Sequence, residues 1–184
     1  MKEPSRRELL GVAVSALVVP LAGCGGLDDS SEGSGPSPDE RLSRSEAAAY
    51  VTDYVSSNWS NRDQEAYGLY QDGVTAISEE RFSRAIRDLE LSVEEYEKLE
   101  SDAFEKRNEY DENQNRYALF DHAWNMYRLM HESASAWYNS AYAYQVEDDP
   151  QAALDWSEEA ERLFDESRRH ATRYHDMVEE WGEG

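Results

Sequence analysis

Cysteine is nearly absent from this chain, with one in 184 residues, at position 24. A single thiol excludes an internal disulfide framework. Lysine is almost as scarce: beyond residues 1–23 only Lys98 and Lys106 remain, and the other basic residues are arginine. Lys and Arg together number 18 against 40 Asp and Glu, a formal net charge of −22. A surface this uniformly anionic is repelled by phosphate, which excludes nucleic acid as a partner. Long apolar runs are missing as well. Residues 9–21 are the best candidate, but they include Gly11 and Pro20 and fall short of the roughly 20 apolar residues needed to cross a bilayer. No phosphate loop, nucleophile elbow or zinc-ligand spacing occurs, so the sequence predicts neither an enzyme nor a cofactor. His122, His131, His170 and His175 form no ligand constellation. Glu166 and His170 are one turn apart, yet with 40 acidic residues a carboxylate near some histidine is expected by chance, and no metal centre follows.

What is present begins with the first 24 residues. Ser5-Arg6-Arg7 precedes the apolar stretch, which closes on Leu21-Ala22-Gly23-Cys24. A basic start, an apolar middle and a small-residue site are the parts of an export signal, and paired arginines point to the twin-arginine route. The segment resembles the signal of twin-arginine lipoproteins. That resemblance implies cleavage before Cys24, lipid on its thiol, and a mature protein anchored on the extracytoplasmic face of the cell membrane. Cleavage would remove Lys2, Arg6 and Arg7 but only Glu3 and Glu8, leaving the mature chain more acidic still.

Acidity of this degree accompanies either disorder or a specialised solvent. Twelve Tyr, five Trp and four Phe argue for a packed core instead of disorder. At molar salt the screening length falls to about 3 Å, so self-repulsion is suppressed. Acidic, lysine-poor and carrying a twin-arginine signal, the chain resembles lipoproteins of halophilic archaea.

Residues 24–42, rich in Gly, Ser, Asp and Pro, read as a flexible tether. Residues 43–182 read as one all-α domain, since every segment has helical period and none alternates as a strand. Ser43 and Glu46 make a capping box for a helix burying Ala47, Tyr50, Val51, Tyr54 and Val55. A second helix is expected over 63–77, with Ser78 capping a third that runs to the break at 111–115. A fourth is expected from 115 to 146. Asp149-Pro150 opens the last, with aspartate at the cap and proline at the first helical position, and Gly182 ends it.

Trp137, Ala141, Tyr144, Ala153 and Ala160 resemble the signature of a tetratricopeptide repeat, and Gly73, Phe82 and Ala85 fit the same frame two periods earlier. The positions where repeats would join, Glu97-Lys98-Leu99 and His131-Glu132-Ser133, hold neither Gly nor Pro. The expected fold is therefore an antiparallel bundle of long helices with one repeat-like hairpin. The alternative is a degenerate tetratricopeptide-type array.

The repeat resemblance implies a groove lined by Tyr138, Tyr142 and Gln145, and hence a helical scaffold that binds a protein or peptide at the envelope. A ligand- or metal-binding bundle is the alternative. Asn58-Trp59-Ser60 fits the glycosylation pattern in an exported chain.

Overall fold

The computed structural model describes residues 42–183; Arg6, Arg7, Cys24 and all but the last residue of the tether lie outside them. Five α-helices make up the described chain: α1 (Arg44–Asn58), α2 (Ser60–Ser78), α3 (Phe82–Arg107), α4 (Asn115–Tyr142) and α5 (Pro150–Gly182). No strand occurs among the described residues.

Two starts follow from local chemistry. The Ser43 Oγ accepts from Glu46 N while the Glu46 carboxylate accepts from Ser43 N at 2.9 Å, a complete capping box. Asp149 Oδ1 accepts from the backbone N–H of Gln151 and Ala152, just ahead of Pro150. These bonds satisfy amides that have no partner within the helix.

Three boundaries differ from expectation. Helix α2 begins at Ser60 because hydrogen bonding carries across Trp59, which donates to Val55 O and whose carbonyl accepts from Asp63 N, both at 2.9 Å. Helices α1 and α2 are thus one helix bent at a buried tryptophan. Ser78 does not cap α3; it is the last residue of α2, with its hydroxyl donating to Thr75 O. The chain leaves α2 through Glu80 at φ 58, with Arg81 N bonded to Ala76 O and Glu80 N to Ile77 O, which is the Schellman way of closing a helix C-terminus. Helix α4 stops at Tyr142 and passes into a π-helical turn, Ala143–Glu147, that Asp148 ends in the left-handed region.

Helices α3 and α4 run without a break through 97–99 and 131–133. They are single long helices of a bundle and not the halves of successive repeats. Packing follows chain order, α2 on α3, α3 on α4 and α4 on α5, while α1 crosses to lie against α5 and α4.

Small residues set the spacing between neighbours. Across the α4–α5 seam Ser140 Oγ donates to Ala153 O, Ser133 Oγ to Ala160 O and Ser167 Oγ to Met126 O. Their opposite chain order fixes the pair as antiparallel. Ser92 does the same from α3 to Ala66 O of α2. A serine side chain reaches a neighbouring helix's carbonyl only when the backbones lie close, and Ala141, Ala153 and Ala160, all fully buried, leave that room.

Candidate functional site

Bending the first helix at Trp59 has a consequence for the interior. The bend carries α1 onto α5, but α2 lies against α3 and does not approach α5 closely along its backbone. Large side chains span the gap: Phe164 of α5 stacks on Tyr70 at 5.6 Å and on Tyr67 at 6.5 Å between centroids. Beside this stack a cavity of about 350 Å³ remains, bounded by all five helices. Gln64, Arg168 and Thr172 stand exposed at its rim, and its volume is in the lower part of the range for small-molecule sites.

The wall is largely carbon, from Val55, Ala123, Met126, Met130, Phe164 and Ala171. Tyrosines from four helices join it: Tyr67 of α2, Tyr96 of α3, Tyr127 of α4 and Tyr174 of α5. Tyr96 and Tyr127 are buried completely, or nearly so. The Tyr127 hydroxyl is sealed from solvent and has no hydrogen-bond partner among the described residues, an arrangement that costs free energy.

Asp63 is the group that distinguishes this cavity. It sits in the first turn of α2, just past the bend. Its carboxylate makes no side-chain hydrogen bond or ion pair with another described residue. Burial is the whole cause of its altered titration, which moves from 3.8 up to about 6. The side chain is deeply set yet keeps some accessible surface; both facts hold together because it lines the cavity. Arg168 at the rim interacts with Tyr67 but is no partner of Asp63.

The residues singled out from sequence lie elsewhere. Tyr138 and Tyr142 stack on each other at 6.2 Å along α4, Tyr138 half-buried and Tyr142 39% exposed. Gln145, in the π-helical turn, donates to Ser83 Oγ at 2.6 Å. Asn58 is exposed at the end of α1, and its amide nitrogen donates to Tyr54 O at 2.8 Å.

The histidines are brought together in a way no motif signals. His122 of α4 and His170 of α5 place their Nδ1 atoms 3.1 Å apart. Burial and the neighbouring His170 hold His122 below its usual titration. His131 bonds to Glu100 at 2.8 Å. Among the described residues no three His, Cys, Asp or Glu side chains group as a metal site, and no helix is long and apolar enough to cross a membrane.

No protein-family model, curated protein or solved structure matches this chain.

Proposed function

We propose that this chain is a lipid-anchored protein of the extracytoplasmic membrane face whose helical bundle holds a small molecule in the cavity between α2 and α5. The observation that carries the binding part is Asp63, a deeply set carboxylate without a partner among the described residues, on the wall of a cavity bounded by all five helices. A partnerless carboxylate with altered titration on a cavity wall is the kind of group that marks a functional site. The anchoring part rests on Leu21-Ala22-Gly23-Cys24 and on the Gly- and Ser-rich tether behind it, which would let the bundle stand clear of the lipid. Binding is tested by native mass spectrometry of protein taken from its own membranes. Retained small molecules should be lost from Ala171→Phe, which fills the cavity, while its helix content is unchanged. Anchoring is tested by Cys24→Ser, which should move the protein out of the membrane fraction; a variant that stays bound through a high-pH wash would overturn it.

A second reading, a scaffold for a protein or peptide, is favoured by exposed Tyr142 and Val146, which continue from half-buried Tyr138 at four-residue spacing along α4 and its π-helical turn. Crosslinking in intact cells distinguishes it: a specific adduct lost in Tyr138→Ala with Tyr142→Ala, at unchanged stability, would put the function on this face.

A further inference from the structure

The cavity's chemistry narrows what it takes. Resting on the small-molecule reading above, we infer that the cavity binds an organic cation, an amine or quaternary ammonium, with its charge against Asp63 and its carbon groups among the tyrosines.

Three features argue together. The first is charge. A carboxylate in an apolar setting is stabilised by a counter-ion, and among the described residues neither Arg168 nor any other basic side chain supplies one. The second is the wall. Tyr67, Tyr96, Tyr127 and Tyr174 surround the same space, and aromatic side chains attract alkylammonium groups through the negative face of the ring, most strongly away from water. The third is what the wall lacks. An inorganic cation such as Ca²⁺ takes six to eight oxygen ligands, mostly carboxylate and carbonyl; here Met126, Met130 and Phe164 occupy much of the surface, and one carboxylate stands alone.

The chain shows the same chemistry satisfied internally. The Lys106 ammonium lies 4.6 Å from the ring centre of Tyr54, with Tyr50 and Tyr110 at 5.9 and 5.7 Å, and is paired with Glu109 at 2.5 Å. That site has tyrosines, a carboxylate and a cation. The cavity has the tyrosines and the carboxylate, and room for the cation.

Choline and 3,3-dimethylbutan-1-ol have the same shape and differ in charge, so the pair isolates the inference. Calorimetric titration of the full chain is run at constant ionic strength, with choline replacing Na⁺. Choline should bind at least about tenfold more tightly than the neutral alcohol. Asp63→Asn should remove that preference while leaving the protein folded, because the substitution deletes a buried charge and keeps the shape. Below about pH 6 choline affinity should fall as Asp63 takes up a proton. The other titratable groups facing the site are Tyr67, Tyr96, Tyr127 and Tyr174, which are neutral there, and Arg168 and His175 of α5; His175→Gln should leave the decline in place. Equal binding of choline and the alcohol would overturn the organic-cation inference and leave the small-molecule reading standing. So would a choline preference that survives Asp63→Asn. Loss of choline binding to Na⁺ or K⁺ at equal concentration would assign the site to a simple ion and overturn it as well. If neither compound binds, the inference fails, and the comparison of wild type with Ala171→Phe decides separately whether the cavity holds anything.

Discussion

Trp137 of α4 donates its indole N–H to the Tyr70 hydroxyl of α2 at 3.0 Å, a bond between residues 67 positions apart in a fully packed interior. Tyr70 in turn meets Ser133 Oγ at 3.1 Å, and Ser133 donates to Ala160 O at 2.8 Å. Because the serine proton is committed to the carbonyl, the tyrosine must donate to the serine and accept from the tryptophan. The direction of the whole relay is fixed, and each member is satisfied. It ties α2, α4 and α5 together at the level where α2 and α5 have drawn apart, closing the bundle beside the cavity.

Tyr70→Phe should therefore cost more than one neutral hydrogen bond. It leaves the Trp137 N–H buried and unpaired, a penalty of about 1 to 3 kcal/mol. Chemical denaturation measures this. The double variant with Trp137→Phe should lose less than the two single losses combined, since the second change removes the stranded donor.

Much of the fold could be read in the sequence because its determinants are local. Ser43 with Glu46, and Asp149 with Pro150, carry their capping chemistry within four residues, and the buried faces of Val51, Val55, Leu89 and Leu99 follow from period alone. Asp63 could not be picked out: as one of 40 acidic residues it differs from its neighbours only in which side of α2 meets the gap, and that depends on the bend at Trp59. The pairing of His122 with His170, and of Lys106 with Tyr50 and Tyr54, comes from how neighbouring helices register. Helical period states which residues face inward but not what faces them.

Asp63 and His122 give stability opposite slopes in pH. The carboxyl is held protonated up to about pH 6, against 3.8 ordinarily, so the folded state binds more protons than the unfolded one in that window. Stability from this group is present at the acid end and lost as pH rises through 6, by up to about 3 kcal/mol. His122, held below its ordinary 6.5, is neutral when folded and charges more readily when unfolded, so its contribution is lost as pH falls through that value. Thermal unfolding from pH 4.5 to 8 separates them. Asp63→Asn should be more stable than wild type at pH 8, and that advantage should shrink to about half by pH 5. His122→Gln should lose less stability than wild type on acidification.

Gly73 and Gly68, both in α2, should respond in opposite directions to alanine. A Cβ on Gly73 would stand 2.5 Å from Leu89 Cγ and 2.9 Å from its Cδ2, and Leu89 is fully buried. Gly73→Ala should destabilise by about 1 to 3 kcal/mol, the cost of overpacking. Gly68 is exposed with nothing within 4 Å of the new methyl. Gly68→Ala should stabilise by up to about 1 kcal/mol through helix propensity. Equal effects at both positions would mean that α2 and α3 are not in the close contact their small residues create.

Salt acts on this surface in two opposed ways, and their sizes decide the outcome. Screening weakens the ion pairs that join Arg62 to Asp102, Arg128 to Glu132 and Arg162 to Glu166, but partly exposed pairs are worth only about 0.2 to 1 kcal/mol each. It also relieves the mutual repulsion of a net −22, which acts between every uncompensated carboxylate and grows with the square of the excess. At about 1 M the screening length is near 3 Å, short enough to remove the long-range repulsion while contact pairs retain part of their attraction. The midpoint of thermal unfolding, followed by circular dichroism, should therefore rise from dilute buffer to molar KCl. A midpoint that falls instead would show that the contact pairs dominate, and would remove the physical basis for reading the composition as halophilic.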